Sequence, residues 1–173
     1  AELPMVTIYI AWPLAGVVWT IFLIEKLVRG IRMIGMGGVT IDDVTLSAGT
    51  LHGIFVHDAE VDVSGCRIRG LRSEMAQGFE IINSDTRDAS TVDGCTVAGP
   101  VFEGIASHVS RVTFTDNTVR GSTERGIVIT EMSMGTALRN SVHDAAGRAY
   151  YCGDMSRCTF LDNVASRVRS ADD

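Results

Sequence analysis

The sequence is poor in aromatic residues, at 6%, and has almost no lysine: Lys26 stands alone against 14 arginines. With 18 glycines and 46% hydrophobic residues, this composition suits thin stacked strands better than a helical bundle. The arginines are scattered rather than clustered, so they read as a base-composition bias and not as a phosphate- or carboxylate-binding device. The net charge is −6, and residues 1–29 cancel internally (Lys26 and Arg29 against Glu2 and Glu25), so the acidity belongs to the rest of the chain. An acidic domain without a basic stripe excludes nucleic acid and argues against an anionic lipid surface. The chain has no G-x-S-x-G elbow, no phosphate-binding glycine-lysine loop and no H-E-x-x-H zinc motif. Four cysteines do not make a disulfide scaffold, and Cys152, Cys158 and His143 match no familiar zinc spacing. No cofactor or metal is expected.

What the sequence does contain is repetition. VTIDDVTLSA (39–48), VDVSGCRIRG (61–70), STVDGCTVAG (90–99), VTFTDNTVRG (112–121), GTALRNSVHD (135–144) and CTFLDNVASR (158–167) align in register. One column holds Ile41, Val63, Val92, Phe114, Ala137 and Phe160, and another holds Leu46, Ile68, Val97, Val119, Val142 and Ala165. Between them run Val44, Cys66, Cys95, Asn117, Asn140 and Asn163, at steps of 22, 29, 22, 23 and 23. Alternation of period 2 inside each copy, repeated at a fixed longer period, predicts strands stacked coil on coil. A second phrase precedes each copy: GIRMI, GIFVH, GFEII, GIASH and GIVIT, then AYYCG with Ala149 in the glycine place. Each is expected to open on a turn residue, and Gly70, Gly99 and Gly121 to mark a positive-φ turn after the second strand. The long interval accommodates residues 81–90 as a polar bulge, and Cys66 and Cys95 read as small buried thiols.

Residues 3–24 carry no charged side chain, the length a helix needs to cross a bilayer core. With Lys26, Arg29 and Arg32 behind this run, a single-pass anchor would put the N-terminus outside and the repeats in the cytoplasm. The alternative is that its β-branched and aromatic stretches form an N-terminal coil or cap of a soluble or secreted domain. The expected organisation is thus 1–29 as anchor or cap, 30–168 as the repeat domain and 169–173 as a tail.

The repeats resemble the right-handed parallel β-helix family, the pectate-lyase-like solenoids, over roughly 30–168. That resemblance implies an all-β right-handed parallel β-helix of about six coils, on the order of 25–30 Å tall at ordinary strand spacing. It also implies a partial asparagine ladder at Asn117, Asn140 and Asn163, with Cys66 and Cys95 in the same column. Family enzymes work on the outer face of one sheet with clustered carboxylates and Arg or Lys, or with calcium.

Here Asp58, Asn83, Val109, Glu131 and Asp154 fall in one column, and His57 and His108 one place earlier. His57 with Asp58, or Glu131 with Arg125, would make an acid/base pair. Val109 interrupts the column, so a solvated face explains the same residues. Met33, Met36, Met132 and Met134 suggest a soft surface, with core filling the default for Met33 and Met132. The first functional reading is therefore a non-enzymatic scaffold subunit of a membrane protein complex. The second is a carbohydrate-binding or carbohydrate-active β-helix with a groove lined by Asp58, Asn83, Glu131 and Asp154.

Overall fold

The computed structural model describes residues 31–34, 38–85 and 87–169. The expected anchor or cap over 1–29, with Lys26 and Arg29, lies outside them, as do Met36 and residues 170–173 of the expected tail.

The described residues form a parallel β-helix of about six coils, with no helix among them. A lead-in strand β1 (Ile31–Ile34) precedes the first coil, which comprises β2 (Val39–Asp42), β3 (Thr45–Leu46) and β4 (His52–His57). The second coil comprises β5 (Val61–Ser64), β6 (Arg67–Arg69) and β7 (Gln77–Ile82). In the third and fourth coils two of the three strands run together, giving β8 (Ser90–Asp93) with β9 (Thr96–His108) and β10 (Arg111–Thr115) with β11 (Thr118–Thr130). The fifth coil comprises β12 (Met134–Leu138), β13 (Ser141–His143) and β14 (Arg148–Cys152), and the sixth β15 (Arg157–Leu161) and β16 (Val164–Ser166). The first strands of the coils make a six-stranded sheet, while the continuous β9 and β11 join the second and third strands into one of ten.

The repeat columns are the register of this structure. Ile41 pairs with Val63, Val63 with Val92, Val92 with Phe114, Phe114 with Ala137 and Ala137 with Phe160. The second column likewise runs from Leu46 through Ile68, Val97, Val119 and Val142 to Ala165. Both columns point inward and join Ile54, Phe79, Ile105 and Ile127 of the third strands in one core. Each fully buried Phe or Ile there contributes on the order of 2–3 kcal/mol. The core opens at the last coil, where Phe160 is half-buried and Ala165 exposed.

The turns explain much of the polar sequence. Between first and second strands, Asp43, Asp116, Arg139 and Asp162 adopt positive φ, as do Gly65 and Gly94. The next residue is the ladder position. Asn117 Oδ1 accepts from Cys95 N–H (2.9 Å), Asn140 Oδ1 from Asn117 N–H (3.0 Å) and Asn163 Oδ1 from Asn140 N–H (2.8 Å). Each amide nitrogen donates inward to a carbonyl of an earlier strand: Asn117 to Val92, Asn140 to Phe114 and Asn163 to Ala137. Cys95 continues the column with a weaker acceptor, its Sγ taking Cys66 N–H at 3.3 Å. Burial pushes both thiols up, Cys95 to about 12.

A second ladder stands at the turn after the third strand. Ser84 N–H donates to Ser110 Oγ (3.0 Å), Ser110 N–H to Ser133 Oγ (3.1 Å) and Ser133 N–H to Ser156 Oγ (3.0 Å). Buried turn backbone is thereby satisfied at two corners of every late coil.

Three expectations are corrected. Gly53, Gly78, Gly104 and Gly126 are not turn residues: they lie within β4, β7, β9 and β11, buried against the valine column. A Cβ on Gly78 would come 2.5 Å from Gly104 O and 2.6 Å from Val97 Cγ1, so the column is small because second-strand side chains pack against the third-strand backbone there. Gly70 and Gly121 have positive φ as expected, but Gly99 does not, and it precedes a cis bond to Pro100. Met132 does not fill the core; it is exposed, as are Met134 and Met155. The bulge is narrower than the expected 81–90: Asp85, Arg87 and Asp88 are exposed, but Ile81 and Ser90 lie buried in β7 and β8.

Candidate functional site

The outer face of the third strands (β4, β7, the second halves of β9 and β11, and β14) gathers polar side chains from five coils. Because the strands are in parallel register, residues separated by a whole coil in sequence become lateral neighbours. One row reads His52, Gln77, Glu103, Arg125 and Arg148. The next reads Phe55, Glu80, Ala106, Val128 and Tyr151. The third places His57 beside Ile82, Ile82 beside His108 and His108 beside Thr130.

The first row is cross-linked. Glu103 is buried, receives Gln77 Nε2 at 2.8 Å and is held by Arg125 at 3.0 Å. A buried carboxylate requires such pairing, since an unpaired one would neutralise or unfold its surroundings. Arg125 stacks on the Tyr151 ring with its guanidinium carbon 4.4 Å from the centroid, and Arg148 lies 5.6 Å from it. Glu124 lies within 3.8 Å of Arg125 and 3.6 Å of Arg148.

The second network crosses the other rows. Glu80 has His52 Nδ1 at 3.0 Å and His108 Nε2 at 3.9 Å on its two sides. His108 Nδ1 in turn lies 3.4 Å from Glu131. Three buried nitrogens in the strip, His52 Nδ1, His108 Nε2 and Arg125 Nε, have no well-aligned hydrogen bond among the described residues. For His52 the carboxylate is close but off the N–H direction, so proximity and hydrogen bonding part company there. Phe55 adds an aromatic edge, stacked on His57 at 6.2 Å and tilted against His52 at 5.0 Å. Beside the starts of these strands lies a cleft of about 540 Å³ lined by Leu71, Arg72, Glu74, Pro100, Val101 and Thr123.

The acidic column singled out in the sequence is a column of turn positions. Asp58, Asn83, Val109, Glu131 and Asp154 all have φ between 48° and 55°. Asp and Asn tolerate this left-handed conformation, so backbone geometry alone accounts for them there. His57 and Asp58 do meet, Nδ1 to Oδ2 at 2.9 Å, and Asn83 bonds Asp58. Arg125 and Glu131 do not pair as drawn: Arg125 serves Glu103 and Glu124, and Glu131 serves His108. Asp154 accepts from Thr130 at 2.6 Å. Cys152 and Cys158 are joined in a disulfide, Cα to Cα 6.2 Å, while His143 bonds Ser166, so these three form no metal set. No group of His, Cys, Asp or Glu among the described residues holds metal-binding geometry.

Reading the sequence missed His52, Gln77, Glu103 and Arg148 of the first row, Phe55, Glu80 and Tyr151 of the second, and Glu124 beside them. A signal was present, since the residue before the leading glycine or Ala149 is polar in five successive coils: His52, Gln77, Glu103, Arg125 and Arg148.

Stacked three-strand coils with inter-coil side-chain ladders define a parallel β-solenoid. The profile of the right-handed β-helix region matches residues 29–171, and the chain belongs to that family. No curated protein and no solved structure matches it.

Proposed function

We propose that this β-helix is a carbohydrate-binding protein whose site is the outer face of the third strands. The observation that carries this reading is the cross-linked polar strip itself, with aromatic rings at both ends. These side chains converge on one face from five coils. A polyhydroxylated chain lying across the coils supplies donors and acceptors at a spacing set by the strands, and its apolar ring faces suit Phe55 and Tyr151. His108 between Glu80 and Glu131 also has the groups that proton transfer to a glycosidic oxygen requires. The disulfide favours an oxidising compartment outside the cytoplasm. That placement fits the soluble or secreted alternative and reverses the sidedness expected from Lys26, Arg29 and Arg32. Of these, Arg32 lies in β1.

The test is a binding screen of the purified full chain against oligosaccharides of several classes, repeated with His108→Asn and Tyr151→Ala. Binding of at least one class, lost in both variants with the fold intact, is expected. A folded protein that binds no sugar overturns the reading.

A second reading, a scaffold subunit of a membrane assembly, is favoured by the last coil. There Met155, Leu161 and Val164 are exposed, and among the described residues β15 and β16 have a strand neighbour on one edge only. No helix among the described residues is long and apolar enough to cross a membrane. This reading predicts self- or partner-association that Leu161→Lys removes, measured by light scattering in mild detergent. A chain monodisperse as a monomer with or without that change argues against it.

A further inference from the structure

Resting on the carbohydrate reading, we infer that the ligand is an amino-sugar chain bearing free ammonium groups, and not a polyuronate. The charge of the strip decides this. Glu80, Glu103, Glu124 and Glu131, with Asp58 and Asp154 along its turn edge, set six carboxylates against Arg125 and Arg148, with Arg32 a third arginine in register beside Phe55. Arg125 is held between Glu103 and Glu124, and Arg148 pairs with Glu124 at 3.6 Å, so each arginine already faces a carboxylate.

Glu80 is the sharpest case. Its side chain is only 12% exposed, and its neighbours are two imidazoles and the outward ring of Phe55 in register beside it. At low exposure Coulomb interactions are screened far less than at the surface. A uronate carboxylate entering here would face Glu80 and Glu131 across His108, with Phe55 and Ala106, not an arginine, in register on either side of Glu80. An ammonium group would meet a carboxylate on either side of His108 and an aromatic face within reach, the combination that binds organic cations.

The experiment measures affinity of the full chain for three hexamers: glucosamine, N-acetylglucosamine and galacturonic acid, each at low and at physiological salt. The glucosamine hexamer is expected to bind most tightly and to weaken as salt rises. Glu80→Gln and Glu131→Gln are each expected to weaken it about tenfold, a typical effect of losing one charge-assisted contact. Glu131 is more than half exposed, so its variant tests the charge even if Glu80→Gln fails to fold. Equal affinity for the acetylated hexamer, or preference for galacturonate with strengthening in Glu131→Gln, overturns this inference and leaves the carbohydrate reading standing. If a folded protein binds none of the three hexamers, this inference fails. If it also binds no sugar in the wider screen, the carbohydrate reading fails with it.

Discussion

Replacing Asn117 by Ala removes three hydrogen bonds from the middle of the solenoid. Its Oδ1 accepts Cys95 N–H, and its Nδ2 donates to Val92 O and to Asn140 Oδ1. Its own backbone N–H still reaches Asn140 Oδ1 and Val92 C=O keeps its place in the β8–β10 ladder, so the change strands one main-chain group, Cys95 N–H, in a site that water does not reach. Leaving a buried polar group unsatisfied costs about 1–3 kcal/mol, and the loss for Asn117→Ala is expected at the upper end of that range. Asn163 makes the same pattern of bonds at the open last coil, where it is only half-buried and water can replace the amide. Asn163→Ala should therefore cost about 1 kcal/mol, near the net value of an ordinary hydrogen bond. Urea titration of both variants by circular dichroism gives the comparison, with unchanged slope as the check that the folded state is retained. A loss within about 0.5 kcal/mol for Asn117→Ala, or equal losses for the two, would refute the reasoning that the ladder satisfies buried backbone.

Val109 is a β-branched residue at φ 48°, where its homologues along the solenoid are Asp, Asn and Glu. Val109→Asn should raise stability by about 1 kcal/mol, seen as a higher midpoint in the same titration. Gly104→Ala should cost about 1–3 kcal/mol or prevent folding, because its Cβ would come 2.6 Å from Gly126 O. Cys66 and Cys95 should resist a thiol reagent at neutral pH until the chain unfolds, given burial of both and the raised thiol of Cys95. The exposed pairs Asp116–Arg139 and Asp144–Arg167 hold both carboxyls below their ordinary 3.8 by hydrogen bonding to the guanidinium. Their contribution is present above that value and lost as pH falls through the lowered one, so Arg139→Gln should flatten acid unfolding in that window alone.

The inward columns were legible because a hydrophobic column repeated at a fixed period has one simple explanation. Ile41 to Phe160 and Leu46 to Ala165 therefore gave the coils, the register and the ladder position directly. The leading glycines misled, since a glycine at a strand start reads as a turn, and only the packing of Val97 and Val119 against Gly78 and Gly104 reveals a steric cause. The same ambiguity ran the other way at Asp58, Asn83 and Asp154, where a carboxylate suggests chemistry but the backbone conformation selects the residue type. Glu80 was invisible for a different reason. Its partners His52 and His108 lie 28 residues away on either side, and no local pattern marks two coils as neighbours on the outer face. Cys152 and Cys158 were too few to suggest a framework, and the strand-turn-strand that joins them became clear only from the fold.

Hydrogen–deuterium exchange on the full chain, with and without the best-binding hexamer, addresses the outer-face site most directly. Added protection is expected over 77–82, 103–108 and 125–130, with none over 61–64 or 111–115 on the other sheet. Protection confined to those latter strands, or no change at saturating sugar, would contradict the assignment of the site.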